Sequence, residues 1–482
     1  MGATHQTETC DVAVIGAGTA GLVAERHARE QGASTRLIDV EFSGTTCASI
    51  GCMPSKLLIA AADAAHAARD AKRFGISATP QIDGAAVMRR LRRHRDAFVK
   101  GVTDGFARLP PGTCMRGRAR FIAPGQLELD DGTLITARAV VIATGSSAAV
   151  PEAFRAVEQR VLTNANIFEM QDLPDSVGVI GSGPVGLELA QALARLGVRV
   201  AVFDRGHRLA GLPAKVGAEL QRILSAELPI HLGQSPRAAY NSDDARAVTL
   251  TWSGGSEQFD WLLVAAGRPP QLEALELDKA GLRLDDQGMP EIDAATLQCA
   301  GAPIFIAGDA NGLHPVLHEA AADGAVAGRN AANYSSVRRA ERSVPIAITF
   351  CRPAAAVVGK LPQAGDLDTV TGCADYARQG RAKVMGRAHG VCEIHASRSD
   401  GKLTGAAMCI PGAEHLAQQL AWAIGDGLTA GQMLARPYYH PTVEEGLRTA
   451  LLQICRQVST PTPWNHTDQP LPGDACSSDI KG

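Results

Sequence analysis

At 482 residues the chain has room for about three domains, each with its own core. Its 47 Lys and Arg nearly balance 50 Asp and Glu, leaving a net charge of -3, so no global field recruits nucleic acid or an anionic membrane. A hydrophobic share of 45% with 20% charged residues is ordinary for a soluble globular protein.

Met1 to Cys10 lacks the basic and apolar regions of a signal peptide, Gln6 stands where myristoylation wants Ser or Thr, and no apolar run approaches a membrane span. A cytoplasmic location is therefore expected. Most of the 11 cysteines should be free thiols in that reducing setting, and an oxidisable pair there reads as catalytic rather than structural.

Asp11 to Ile15 is a short apolar strand, followed by Gly16, Gly18 and Gly21 in GxGxxG spacing and an Ala-rich helical pattern to about Gln31. A second strand, Thr35 to Ile38, ends on Asp39. Strand, glycine turn, helix, strand and acid form a dinucleotide fingerprint: the glycines admit a pyrophosphate at the helix N-terminus, and the acid takes the ribose hydroxyls.

Cys47 and Cys52 then lie in a Gly-bounded loop, with Pro54 suited to the first turn of a helix through Lys56. A helix N-terminus carries partial positive charge and favours a thiolate, so the cysteines read as a redox pair; two buried structural thiols are the alternative. Helical segments are expected over about 56–71 and 84–107. The basic run Arg89, Arg90, Arg92, Arg93, His94 and Arg95 in the second reads as a solvated face.

Residues 114–136 alternate around turn signals and predict antiparallel strands, and a separate strand Ala139 to Ile142 leads into Thr144 and Gly145. The fingerprint then recurs: strand Ser176 to Ile180, glycines Gly181, Gly183 and Gly186, helix Leu187 to Leu196, and strand Val198 to Phe203 closing on Asp204. Glycine and acid are equally spaced in the two copies, so one chain carries two dinucleotide sites. Two such sites and a redox cysteine pair suggest a relay in which one nucleotide brings the hydride, the other is a resident flavin, and the dithiol takes the electrons.

The turn Ala266 to Pro269 resembles that at Ala143. Ile304 to Ile306 leads to Asp309, a ribityl ligand or a simple turn residue, and a helix follows from Leu317 and His318 to Asn330. From Val344 the texture is α+β, with strands expected over 346–350, 381–385, 390–396 and 403–408 and helices over 414–424 and 444–456. His440, before Pro441 at a helix start and near Glu445, is an imidazole whose basicity a carboxylate partner sets. The tail from Thr460 is expected to be disordered.

These motifs resemble the flavin-dependent pyridine nucleotide-disulfide oxidoreductases, the family of dihydrolipoamide dehydrogenase, glutathione reductase and mercuric reductase. Gly51 to Lys56 (GCMPSK) and His440 to Thr442 (HPT) look most like the dihydrolipoamide dehydrogenase branch. The resemblance implies an α/β chain of two Rossmann-like domains, for FAD and NAD, and an α+β dimerisation domain. The implied divisions are 1–150 and 271–343 for FAD, 151–270 for NAD, 344–459 for dimerisation and 460–482 for the tail.

It further implies that Gly16, Gly18, Gly21, Asp39, Lys56, Thr144, Gly145 and Asp309 hold FAD, with Leu317 and His318 among the cofactor contacts. Gly181, Gly183, Gly186 and Asp204 would hold the nicotinamide nucleotide, and Glu188 would pair with Lys56 beside the flavin. Cys52 faces the flavin, Cys47 exchanges with substrate, and His440, oriented by Glu445, shuttles protons for the partner subunit in a homodimer. Asp204 favours NAD, while Arg205 keeps NADP open.

Thr45 and Ser49, where relatives commonly have Gly and Asn, are expected to be tolerated, and Tyr439 stands where many lipoamide enzymes have a small residue. No lipoyl module precedes the first strand, so a lipoyl group is expected from a partner protein; no metal site, nucleic acid or membrane is expected. A metal-ion reductase, another disulfide reductase and a flavin-binding regulatory subunit are the rival readings.

Overall fold

The computed structural model describes residues 7–241 and 247–458; the tail from Thr460 and Cys476 lie outside them. The first strand, Thr7–Ile15, runs parallel to Thr35–Asp39 on one side and Leu134–Ile142 on the other. Its inner residues Val12 to Ile15 are buried, as strands covered by helices on both faces require. Thr19–Glu30 is the crossover helix, and it packs on Leu317–Ala332 through bare backbone: a Cβ on Gly328 would stand 2.2 Å from the Ala24 carbonyl oxygen.

Two expectations for this region are corrected. Cys114–Arg116 pairs in parallel with Thr35–Asp39, while Ala119–Ala123 and Gln126–Leu129 make the antiparallel meander. Ala139 to Ile142 is the inner half of one strand, Leu134–Ile142, whose outer half alternates and whose last four residues are all buried. The sheet passes there from one covered face to two, and the change of pattern makes one strand read as two. Ile304–Ile306 completes the sheet beside Val140 to Ile142.

The second fingerprint builds a parallel sheet in the order 230–232, 199–204, 176–180, 261–264, 161–162, flanked by an antiparallel three-stranded ribbon over 237–259. In both sheets the glycine turn leaves the C-terminal end of a central strand, where the strand order reverses.

The C-terminal unit is a five-stranded antiparallel sheet in the order 346–349, 354–359, 403–410, 391–397, 369–375. Helices Ala413–Gly425 and Glu445–Gln457 close one face over a single apolar core. Strands Ala354–Gly359 and Thr369–Asp375 were not anticipated, and Arg381 to Met385, expected as a strand, lies mostly in the helix Gly380–Val384. The Gln379 side chain caps that helix by accepting from the Ala382 N–H at 2.7 Å, a local bond that outweighs the alternating pattern.

Candidate active site

The glycine turns fall into three structural roles, the same in both copies. Gly16 has φ +103°, and a Cβ there would stand 2.4 Å from the Ala143 carbonyl oxygen; a Cβ on Gly21 would stand 1.8 Å from that of Gly16. Gly181 and Gly186 repeat this at 2.5 Å from Ala265 and 2.0 Å from Gly181. Gly18 and Gly183 instead face open space, and each precedes a helix N-terminus with no side-chain cap. First and third glycines close the turn, and the middle one leaves room for an anion at unpaired N–H groups, so both cradles fit a dinucleotide pyrophosphate.

The two acids brace these turns. Asp39 accepts from the Ala17 N–H at 2.8 Å and from the Glu41 and Phe42 N–H groups at 3.0 and 2.9 Å. Asp204 accepts from the Ser182 N–H and hydroxyl at 2.5 and 2.8 Å and from the Gly206 N–H at 2.6 Å. Each carboxylate is thereby fixed at the mouth of its cradle.

Between the nucleotide folds lies a cavity of ≈ 470 Å³ lined by, among others, Cys47, Cys52, Lys56, Glu188, Asp309 and His318. Cys47 sits on the short helix Thr46–Ser49, and Cys52 is the first residue of the helix Cys52–Asp70, with Pro54 in its first turn. A Cβ on Gly51 would stand 2.8 Å from the Thr46 carbonyl oxygen, so glycine lets the two helix ends approach. Both cysteines are free thiols. The hydrogen bond from the Cys47 thiol, helped by the Lys56 ammonium, draws the Cys52 pKa down to about 6 against the opposing effects of burial and Glu188. The same bond, with burial, pushes Cys47 up, so one proton resides on Cys47 and the thiolate on Cys52.

The Lys56 ammonium bonds the buried Glu188 carboxylate at 2.7 Å and lies 4.4 Å over the Phe350 ring, while the Phe350 N–H donates to Glu188 at 2.8 Å. Glu188 thus joins the redox helix, the second nucleotide fold and the C-terminal unit. Thr45 caps the Cys47 helix through the Ala48 N–H at 3.4 Å, and the Ser49 hydroxyl donates to the Thr45 carbonyl at 2.9 Å. The two departures from the commonest loop sequence therefore form a bonded pair.

Sequence reasoning missed the groups that hold this loop. The Asn164 amide donates to the Ile50 carbonyl at 3.0 Å, and Arg95 bonds Glu169 and Asp96 and reaches the Ser49 carbonyl at 3.5 Å. Arg95 is buried and Arg92 bonds the Met170 carbonyl, so the basic run is not simply a solvated face. Its period carried the signal: Met88, Leu91 and Arg95 share the buried stripe.

The Thr144 hydroxyl donates to the Gln271 carbonyl at 2.7 Å, away from the cavity, whereas Gly145 lines it at φ +71°. Asp309 accepts from the Ser146 hydroxyl at 2.7 Å, and Arg268 bonds the Ser146 carbonyl at 2.9 Å. The two look-alike turns meet here, with Gln271 N–H to Gly145 and Ala149 N–H to Gly267. Leu317 and His318 form the cavity rim.

His440 lies outside this cavity, 59% exposed, with Nδ1 at 3.1 and 3.2 Å from the two oxygens of buried Glu445. The following helix begins at Glu445, so the imidazole is carried on a loop rather than at the helix start that was expected. Glu445 also accepts from the Thr442 N–H at 3.0 Å, which fixes the carboxylate. With Nδ1–H donating a hydrogen bond to the Glu445 carboxylate, Nε2 of the exposed ring is the nitrogen left to accept a proton.

Residues 10–325 match the pyridine nucleotide-disulphide oxidoreductase family, and residues 345–451 match its dimerisation domain. The chain belongs to this family. It is 30% identical over 460 residues to a dihydrolipoyl dehydrogenase of Halobacterium salinarum, covering 91% of this chain and 95% of that one. It is also 32% identical over 459 residues to a mercuric reductase of Streptomyces lividans, with the same coverages. Two solved structures share the fold at a TM-score of 0.79, over 92% of this chain and 99% of theirs. They are LpdA of Mycobacterium tuberculosis, 24% identical, and the HOCl-induced flavoprotein disulfide reductase RclA of Escherichia coli, 21% identical. As a family member the chain is a flavoprotein disulfide oxidoreductase that uses FAD and NAD(P), and its C-terminal unit is a dimerisation domain. Among the described residues no helix is long and apolar enough to cross a membrane, and no group of His, Cys, Asp or Glu is arranged to hold a metal.

Proposed function

We propose that this protein passes electrons between a lipoyl dithiol and NAD, as a dihydrolipoyl dehydrogenase does. The observation that carries this reading is the Cys47 and Cys52 pair lining one cavity with Lys56, in a chain whose exposed His440 is backed by buried Glu445. One group stores electrons as a thiolate, and the other handles the protons that dithiol oxidation releases.

A lipoyl thiol, deprotonated by His440 of the partner subunit, attacks Cys47 of the oxidised Cys47–Cys52 pair, and Cys52 leaves as the thiolate. The second lipoyl thiol displaces Cys47 from the mixed disulfide. The lipoyl group is thereby oxidised by two electrons and the cysteines are reduced by two, with one proton on Cys47 and one on the imidazole. FAD and NAD, held in the first and second glycine cradles, supply the two-electron acceptor beyond Cys52.

A homodimer is supported by the dimerisation domain and by the position of His440 outside its own chain's cavity. NAD is favoured because the Asp204 carboxylate at the second cradle opposes a 2′-phosphate, with exposed Arg205 the one feature for NADP. The lipoyl group would come from a partner protein.

A metal-ion reductase is the second reading, supported by the Streptomyces lividans relative. NADH-driven turnover of lipoamide, glutathione disulfide and Hg(II), compared side by side, separates the readings. Lipoamide should be preferred, and faster turnover of Hg(II) or glutathione disulfide would replace this substrate assignment.

A further inference from the structure

Outside the cavity, one thiol has the setting of a reactive group. Cys373 lies on the edge strand Thr369–Asp375, half-buried, and the Lys215 ammonium donates to its Sγ at 2.9 Å. Lys215 is the second residue of the helix Ala214–Leu224 in the second nucleotide fold, and its side chain is 57% exposed. Solvent therefore reaches the pair. Glu393, directly across the ladder from Cys373, places a carboxylate oxygen 3.8 Å from the same ammonium and holds it over the sulfur.

The backbone at Cys373 is pinned as well. Its N–H donates to the Gln453 side chain and its carbonyl accepts from it, both at 2.9 Å, so the edge strand does not drift away from the lysine. Burial pushes the thiols of Cys10, Cys299, Cys351, Cys392 and Cys409 up. Cys114 is exposed but is also pushed up, by burial and the Glu25 carboxylate. The sulfur of Cys373, in turn, raises the hold of Lys215 on its proton.

We propose that Cys373 is a hydroperoxide-oxidised modification site, with Lys215 stabilising the attacking thiolate and protonating the leaving oxygen. The sulfur attacks the terminal oxygen of the hydroperoxide, the S–O bond forms, and the O–O bond breaks. The alkoxide or hydroxide takes its proton from the Lys215 ammonium. Sulfur is oxidised by two electrons to a sulfenic acid and the peroxide is reduced to an alcohol or water. Lys215, exposed to water and beside Glu393, regains its proton from solvent, so the contact between the second nucleotide fold and the C-terminal sheet passes from ammonium–thiolate to ammonium–sulfenic acid.

The test uses the holoenzyme with Cys47 and Cys52 as the disulfide, exposed to hydrogen peroxide with dimedone present, and reads trapped sulfenic acid peptide by peptide. In the unmutated protein Cys373, with an ammonium 2.9 Å from its sulfur, should be trapped at least about tenfold faster than Cys114, whose thiolate burial and the Glu25 carboxylate disfavour. Lys215→Gln should lower Cys373 trapping on the order of tenfold, and Lys215→Arg should restore much of it. Equal trapping at Cys373 and Cys114, or trapping at Cys373 unchanged by Lys215→Gln, overturns the proposal. Neither result depends on which disulfide the enzyme turns over.

Discussion

Two substitutions at one ion pair should move the Cys52 thiol in opposite directions. Lys56 lies four residues after Cys52 on the same helix, and its ammonium lowers the Cys52 pKa while the Glu188 carboxylate raises it. Unit charges about 6 Å apart, as at i and i+4, interact by about 3 kcal/mol at an effective dielectric of about 20, or about 2 pKa units. Lys56 is about a third exposed, and solvent screening brings this to about one unit. Lys56→Gln should therefore raise the Cys52 pKa from about 6 by about one unit, and Glu188→Gln should lower it by a smaller amount. The assay is the pH dependence of iodoacetamide alkylation in the reduced enzyme, with Cys47→Ser variants assigning the signal to Cys52. Alkylation follows the thiolate, so in Lys56→Gln the rise of the rate moves to higher pH. Shifts of the same sign in both variants, or none, would refute the electrostatic account of this thiol.

The imidazole and the cradles give further expectations. His440→Ala and Cys47→Ser homodimers should each lose at least about a hundredfold in disulfide turnover, whereas co-expressed hybrids should recover activity, because one site then has both groups; hybrids as inactive as the parents would place His440 in its own subunit's site. Gly18→Ala should keep its fold and lose nucleotide affinity, whereas Gly21→Ala, whose Cβ would meet the Gly16 carbonyl oxygen at 1.8 Å, should lose about 3 kcal/mol in denaturant unfolding. With Asp204 fixed at the second cradle, kcat/KM should favour NADH over NADPH by at least about tenfold, and equal values would contradict the cofactor assignment.

Much of the scaffold was legible because its signals are local. A strand buried on both faces reads as a continuous apolar run, and the glycine spacing follows from backbone contacts that admit no Cβ, as at Gly16 and Gly21. The Lys56–Glu188 pair came from the family resemblance, and the structure brings the two groups to 2.7 Å. What escaped notice depends on distant partners. Asn164 has no sequence signature for gripping the Ile50 carbonyl, Arg95 looks like any exposed arginine until Glu169 folds over it, and the Cys373 and Lys215 pair joins segments far apart in the chain. Gly380–Val384 was misread because alternation there competes with a side-chain cap from Gln379.

The central claim is that Cys47 and Cys52 carry electrons between a disulfide substrate and the nucleotide cofactors, with Cys52 as the thiolate. Anaerobic titration of the yellow holoenzyme with NADH tests it directly. A long-wavelength absorbance band should appear at two electrons, vanish in Cys52→Ser, and be discharged by oxidised lipoamide but not by glutathione disulfide. A band that neither disulfide discharges would leave the dithiol relay standing and remove lipoamide as substrate. The absence of any band, with the flavin simply bleaching, would contradict the account at its centre.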